Sequence, residues 1–481
     1  MQSKKSDSSL AEAFDATDLP SGAGTLSYSN LPPGRFRFGS IKANLPLPIL
    51  FALLIPLSMF VESDVVGDYY RRIIILAGFN IILAVSLQLI NGFSGQFSLG
   101  HAGFMAVGAY LAAYPAMNYS QHFADPFACL LFYAAVAIVF VVAGTVLFAA
   151  FLLIRWTRKL YQALPMVLLI AMLIWAMFDF ARASAVTVGN PPKYYIWWHG
   201  ADSLVRLFAW VTTHGRDAAA HLSAALPTGM VEPLSFIVLV LGSGACAGAV
   251  GLVVGMPALR LRGDYLAIAT LGFAEIIKII IRNSEPLGGA LGLVGIPKYT
   301  NFAWLYGAAL VTIVVIWRIA YSPRGRAIMA VREDEIAAAA IGIDPTRQKV
   351  TAFITGAFFG GVAGAMFAMH EHSITPESFG MAKSIEVVVM VTLGGLGSIS
   401  GAILAAIVLT ILPEFLRNLS PTLADFRMVI YSALLIVMML LRPQGLLGGR
   451  EIWPWRRFRN PDPVPTEDRD DYQGSDQTKP N

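Results

Sequence analysis

Charge is scarce in this chain of 481 residues. Lys, Arg, Asp and Glu together make up 14%, against about 25% in ordinary soluble proteins. There is too little polar surface to cover the many apolar stretches, which argues against a soluble protein. Cysteine is scarcer still. Cys129 and Cys246 are the two in the chain, and both fall inside apolar runs, which excludes a disulfide framework and a cysteine-based metal cluster. The sequence holds no G-x-x-x-x-G-K-[ST] phosphate loop. It shows no nucleophile–base set and no metal-ligand cluster, which argues against an enzyme. A net charge of +4 is mild and gives no footing for nucleic-acid binding. Residues 1–44 are polar and rich in Ser, Gly and Pro. They do not read as a cleavable signal peptide, because no apolar core follows a basic start within residues 1–30.

What the chain does have is apolar length. Hydrophobic residues make up 56% of it and the mean hydropathy is +0.62. Apolar stretches of roughly 18 residues or more recur along it, the pattern of a multi-pass helical membrane protein. Spans are expected at residues 45–61, 73–90, 98–114, 127–154, 160–180, 233–256, 265–281, 302–319, 351–370, 384–393, 401–416 and 428–441. The segment 98–114 is glycine-rich and reads as a broken or half-crossing helix, and 384–393 is short and ends in glycines. Basic residues cluster in four connecting regions: Arg155, Arg158 and Lys159; Arg260 and Arg262; Arg324, Arg326, Arg332, Arg347 and Lys349; and the tail from Arg442 through Arg459. Cytoplasmic loops carry excess Lys and Arg, so these regions are expected inside, with both termini cytoplasmic. Arg71 and Arg72 fall on the opposite side. The tail REIWPWRRFR sets tryptophan beside arginine, as in a segment resting at a membrane surface or touching a partner.

One stretch departs from the apolar pattern. EDEIAAAAIG, residues 333–342, lies in a cytoplasmic loop between two spans. Glu333, Asp334 and Glu335 suit the positive end of a helix dipole, alanine favours helix, and Gly342 can close it. The expectation is a soluble helix of two to three turns, roughly 15 Å long, with Asp344-Pro345 preventing its continuation. Its small face fits either solvent or a closely packed partner.

Charges within spans usually face protein or water. Glu275 and Lys278 are three residues apart on one helix face and are expected to pair, as a buried structural pair or as lining of a path. Glu386, near the start of a short helix, reads as an N-terminal helix charge or a docking contact. His101 has no ligand partners nearby in sequence and reads as a hydrogen-bonded core or path histidine, not a metal ligand. Two glycine blocks stand out: Gly95, Ser98, Gly100, Gly103 and Gly108 in the first, and Gly394, Gly395, Gly397, Ser398 and Gly401 in the second. Each serves either close helix packing or a pair of interrupted helices along a translocation path. Gly356, Gly360 and Gly364, with Gly244 and Gly248, read mainly as packing.

Five ordered blocks resemble one family. These are NGFSGQFSLGHAGFMAVGAYLAAY (91–114), PALRLRGDYLAIATLGFAEIIKIIIRN (257–283), SPRGRAIMAVREDEIAAAAIGIDPTRQKVTAF (322–353), ITPESFGMAKSIEVVVMVTLGGLGSISGAILAAI (374–407) and LRPQGLLG (441–448). The chain resembles permeases of the high-affinity branched-chain amino acid ABC importers, and within them the second, M-type subunit. The resemblance implies an all-α polytopic transmembrane bundle with glycine-broken helices and a cytoplasmic coupling helix. Its partners would be a related permease subunit, two cytoplasmic ATPases, a periplasmic solute-binding protein and membrane lipid. No cofactor would be bound by this chain; ATP and Mg would sit on the ATPases. The setting would be the bacterial inner membrane. The ATPase-contact set carried over is Glu333, Asp334, Glu335, Ala338, Ala339 and Gly342. Urea or an amide is the alternative substrate class in the same family, and a secondary transporter acting alone is the alternative from another class. The core would occupy about residues 73–448 of a membrane domain at 45–441, with tails at 1–44 and 442–481. The chain departs from the family in an extra helical pair, 127–180, and a half-polar outer stretch to residue 232 that includes Trp197, Trp198 and Trp210. EPLGGALGLVGIPK (285–298) is a second departure, in an outer loop.

Overall fold

The computed structural model describes residues 46–137 apart from 64–65, 119–125, 131 and 135; residues 228–419 apart from 260, 262 and 285–286; and scattered positions from 429 to 451. Most of the inserted pair and its outer stretch lie outside these residues, as do most of 428–441 and both tails. The described chain is helical: α1 Pro46–Glu62, α2 Asp68–Leu87, α3 His101–Asn118, α4 Thr228–Ala258, α5 Asp264–Arg282, α6 Phe302–Ala320, α7 Pro323–Glu333, α8 Glu335–Ala340, α9 Pro345–Glu371, α10 Met381–Gly394 and α11 Ile399–Leu419. A π-helical turn, Gln88–Phe93, extends α2. A two-residue antiparallel bridge pairs β1, Leu293–Val294, with β2, Ser373–Ile374. Among the described residues four segments are long and apolar enough to cross a membrane: Asp68–Phe93, Met230–Ala258, Phe302–Ala320 and Pro345–Glu371.

Burial ranks these spans. In α2 and α9, 83% and 78% of the most apolar window is buried, against 50% in α4 and 28% in α6. An all-round apolar helix can face either a core or lipid, and it is their burial that places α2 and α9 at the centre of the unit that begins at Leu54. Small residues bring their neighbours close. A Cβ on Gly364 would run into the Met105 carbonyl, and one on Gly108 into the backbone of Gly361, so α3 and α9 pack almost backbone to backbone. A Cβ on Gly356 would lie 2.5 Å from Ile90 Cδ1, and one on Gly244 2.8 Å from Val362 Cγ2.

Helix starts follow local chemistry. Ser322 accepts a hydrogen bond from Gly325 N at 3.1 Å with Pro323 following, and opens α7. Asp344 accepts from Arg347 N at 3.2 Å with Pro345 following, and opens α9. The Asp344-Pro345 step was expected to stop a helix. Proline tolerates the first helical position because its missing N–H would be unpaired there, so the step instead begins the next helix, and α9 starts six residues before the expected 351.

The end of the bundle opposite α7 and α8 is tied by its loops. His372 closes α9 in a left-handed conformation, φ 62°. Its carbonyl accepts from Gly295 N at 3.1 Å and Ile296 N at 3.0 Å, and its Nδ1 donates to the Ile296 carbonyl. Arg71 sits at this end too, donating to the carbonyls of Val61, Glu62, Ser63 and Val66 at 3.2–3.4 Å and pairing with Asp68 at 3.1 Å. Arg72 pairs with Glu371 at 3.8 Å. These contacts give the two arginines a structural reason to depart from the charge pattern of the other loops.

Candidate functional site: the α7–α8 corner and the two helix breaks

The acidic–alanine stretch is not one helix. Residue 333 ends α7, Asp334 is extended, and α8 runs only from Glu335 to Ala340. Six residues span about 9 Å at 1.5 Å each, shorter than expected. Asp334 is the reason for the break: its carboxylate accepts from Ile336 N at 2.8 Å and Ala337 N at 3.0 Å, satisfying donors that a helix start leaves open. At the other end Gly342 takes φ 85°, Gly342 N donates to Ala339 O and Ile343 N to Ala338 O, each at 3.0 Å. This paired closure needs a left-handed residue, and glycine adopts that conformation without a Cβ penalty.

The six expected contact residues divide by environment. Asp334 is the cap. Glu335 pairs with Lys349 of α9, and Ala338 is buried against the protein. Glu333, Ala339 and Gly342 face outward, and Glu333 pairs with Arg332 at 3.0 Å. The sequence reading missed Ile336 and Ile341. They are 78% and 75% exposed on the outward side of α8, in a helix whose inward side is held by Ala338 and Glu335. The signal was present as two isoleucines flanking four alanines.

Both glycine blocks meet this corner. After the π-turn the chain runs non-helically through Ser94–Gly100 and re-enters helix at His101. Gly95 takes φ 68°, and a Cβ there would lie 2.6 Å from Arg332 Cγ. Arg332 Nη1 donates to the Gly92 carbonyl at 2.7 Å. Ser98 and His101 are fully buried; His101 Nε2 and Ser86 Oγ are 2.8 Å apart, while Nδ1 has no partner among the described residues. Asn91 Oδ1 accepts from Ser98 N at 3.2 Å. A Cβ on Gly100 would be 2.6 Å from the Thr270 carbonyl. The second block separates α10 from α11. A Cβ on Gly394 would lie 2.5 Å from the Gly401 carbonyl, and Gln88 Nε2 reaches across to Gly395 O at 2.9 Å and Ser398 O at 3.2 Å. Thus Ser98, Gly395, Gly397 and Ser398 meet the π-turn through Asn91, Gly92 and Gln88, and Gly95 meets it through Arg332, whereas Gly100 packs on Thr270 of α5, His101 bonds Ser86 of α2 and Gly394 packs on Gly401. Of the late block, Leu446 and Leu447 also land here: Leu446 N donates to Leu393 O at 2.8 Å, and Leu447 N to Gly394 O at 3.3 Å. Glu451 accepts from Ile399 N at 2.6 Å and Ser400 N at 3.0 Å, capping α11.

The intramembrane charges lie elsewhere. Glu275 and Lys278 pair at 3.4 Å, and Lys278 also reaches Glu377 at 3.1 Å. Glu377, on the turn Pro376–Phe379, further pairs with Arg282 at 3.6 Å. The expected pairing is present; Lys278 is 17% accessible, but Glu275 is 37% and Glu377 64% accessible, so the set is partly exposed and not a fully buried pair. Glu377, about 100 residues along the chain, was not legible as its third member. Glu386 is held by Lys383 at 3.2 Å; Lys383 donates to Asn80 Oδ1 at 2.9 Å, and Asn80 Nδ2 to Thr410 Oγ1 at 2.8 Å, joining α10, α2 and α11. Among the described residues no group of three or more His, Cys, Asp or Glu is placed to hold a metal ion.

Repeated apolar spans, glycine-close packing and interrupted helices define a multi-pass helical membrane protein. Residues 69–211 and 207–439 match the family described as the permease component of branched-chain amino acid transport systems, and the chain belongs to that family. It is 40% identical over 240 residues to the high-affinity branched-chain amino acid transport permease LivM of Salmonella typhimurium, covering 43% of this chain and 56% of that protein. It is 29% identical over 195 residues to LivH of Escherichia coli, covering 37% and 62%. A probable LivM of Methanocaldococcus jannaschii is 25% identical over 267 residues, covering 50% and 76%. The chain thus spans a little over half the length of its LivM relative from Salmonella. No solved structure matches the chain.

Proposed function

We propose that this chain is the M-type permease subunit of an ATP-driven importer and forms half of a path for branched-chain or related amino acids. Its partners are a related permease subunit, two cytoplasmic ATPases that bind ATP and Mg, and a periplasmic solute-binding protein. It sits in the bacterial inner membrane with both termini and α8 on the cytoplasmic side. The observation that carries this reading is α8. A short helix, capped at both ends and fixed to α9 by Glu335–Lys349, holds two isoleucines outward. Exposed apolar side chains on a rigid support suit a protein–protein contact, and α7, which leads into α8, carries Arg332 onto the π-turn before the first helix break. The chain's resemblance to permeases supplies the partner that would need such a contact.

The test is reconstitution of the five subunits in proteoliposomes, with ATPase binding and ATP-driven uptake of leucine, isoleucine and valine measured on wild type and Ile336→Asp. Burying an isoleucine is worth about 1.5–3 kcal/mol, so ATPase affinity is expected to fall about ten- to a hundredfold. Uptake falls with it, while permease pairing is unchanged. Wild-type binding and uptake in the variant would overturn the assignment of α8 as the ATPase contact.

A further inference from the structure

The basic residues of the loop before α8 serve orientation in the sequence reading, and Arg332 is one of them. Its position in the fold is different in kind. Arg332 is the penultimate residue of α7, two residues before the Asp334 cap of α8. Its side chain is 36% exposed, yet it is turned back onto the chain. Its Nη1 donates to the Gly92 carbonyl at 2.7 Å, on the π-turn that ends α2. Its stem occupies the space left by the missing side chain of Gly95, where a Cβ would be 2.6 Å from Cγ. Nη1 also lies 3.4 Å from the position a Cβ on Gly397 would take. Gly397 in turn touches the first break: a Cβ on Gly92 would be 2.7 Å from Gly397 N. One guanidinium therefore bonds to the π-turn that leads into the first interrupted segment and lies beside Gly397 of the second, where Gly92 and Gly397 meet.

Two neighbouring links make this a contiguous connection. Gln96 Nε2, in the first break, donates to the Lys349 carbonyl at 3.1 Å, and the Lys349 side chain pairs with Glu335 of α8. Gln88 Nε2 ties the π-turn to Gly395 and Ser398 of the second break. A displacement of α8 reaches the breaks along Arg332 on one side and along Glu335–Lys349–Gln96 on the other. Coupling across a protein needs a chain of packed or hydrogen-bonded groups attached to elements that can rearrange. A π-turn and a glycine break are such elements, since their backbone bonding is already incomplete. Arginine suits the junction because its planar group donates in several directions while staying rigid. Nη2 on the same group pairs with Glu333, which fixes its orientation from the α7 side.

We propose that Arg332 is the positioning residue that carries displacement of α8 into both helix breaks. This deepens the proposed function and rests on it. If α8 moves with the ATPases, Arg332 moves the Gly92 carbonyl and Gly397 together, so the two breaks change as one.

The experiment uses the reconstituted five-subunit complex with wild type, Arg332→Met and Arg332→Lys. Methionine keeps much of the apolar stem and removes the donor; lysine keeps a cationic donor. Three quantities are read: ATPase affinity for the permease pair, solute taken up per ATP hydrolysed, and the mobility of a spin label on Leu396→Cys with and without ATP and vanadate. Leu396 is exposed beside Gly397, and Cys129 and Cys246 are buried, so the label reports on the second break. A hydrogen bond from a charged group supports a bias of about tenfold or more. In Arg332→Met, uptake per ATP is expected to fall by about that factor, and the nucleotide-dependent change at residue 396 to disappear, with ATPase affinity retained. Arg332→Lys is expected to restore part of both. A wild-type coupling ratio and label response in Arg332→Met would overturn the proposal, and so would a fall in ATPase affinity, which would make Arg332 a direct docking contact. Failure of assembly in Arg332→Met without rescue by lysine would also overturn it, leaving a structural role. If the wild-type complex itself shows no ATP-driven uptake, it is the importer assignment that fails.

Discussion

Asp334 holds α8 in place, and replacing it with alanine gives a measurable consequence. The carboxylate makes two hydrogen bonds, to Ile336 N and Ala337 N. Removing an Asp N-cap costs about 0.5–2 kcal/mol, typically about 1. A helix this short has no length over which to spread that loss, because isolated helices under about 12 residues are marginal in water. What remains to hold α8 is the Gly342 closure, the buried Ala338 and the Glu335–Lys349 pair. A loss of about 1–2 kcal/mol corresponds to roughly a 5- to 30-fold rise in local opening. Amide hydrogen exchange of the purified protein in detergent or nanodiscs reads this directly. The amides of Ala338, Ile341, Gly342 and Ile343, which donate within the α8 turn, are expected to exchange faster by that factor, with α9 unchanged. Asp334→Asn and Asp334→Ser should stay close to wild type, because all three residues cap well. Unchanged exchange at these amides in Asp334→Ala, or an equal rise throughout α9, would refute the view that a side-chain cap sustains an independent short helix.

Close packing of α3 on α9 predicts that Gly364→Val is strongly destabilising, because a Cβ there meets the Met105 carbonyl. Overpacking costs about 1–3 kcal/mol or more, and should appear as a lowered unfolding temperature in detergent, whereas Gly272→Ala, which has open space around it, should not lower it comparably. The proposed topology puts Leu291 outside and Ile336 inside, at opposite ends of α9, and both are exposed. An impermeant thiol reagent applied to cells whose periplasm is accessible should therefore label Leu291→Cys and spare Ile336→Cys; the reverse result would invert the orientation.

The sequence by itself determined the class of the protein and much of its local architecture. Apolar runs long enough to span a bilayer can hide their backbone polar groups only by becoming helical, so α2, α4, α6 and α9 were legible as spans. Family membership was legible in five ordered blocks. The ends of α8 were legible in part, because a cap and a left-handed glycine act within a few residues of themselves: Gly342 did close the helix. The same local rules were ambiguous at Asp344-Pro345, which can follow one helix or open another, and only the course of the chain chose α9.

The tertiary structure decided everything that depends on residues far apart in sequence. Arg332 and Gly92 are 240 positions apart, and nothing in either neighbourhood marks them as partners. Likewise Glu377 joins Lys278 and Lys383 reaches Asn80 only because helices bring them together. Which alanine of α8 is buried and which isoleucines are exposed depends on the side from which α9 covers it. The glycines were conspicuous in sequence, but composition could not tell a glycine that admits a neighbouring helix from one that admits an arginine. That distinction is set by what lies opposite each missing side chain, and packing in three dimensions alone supplies it.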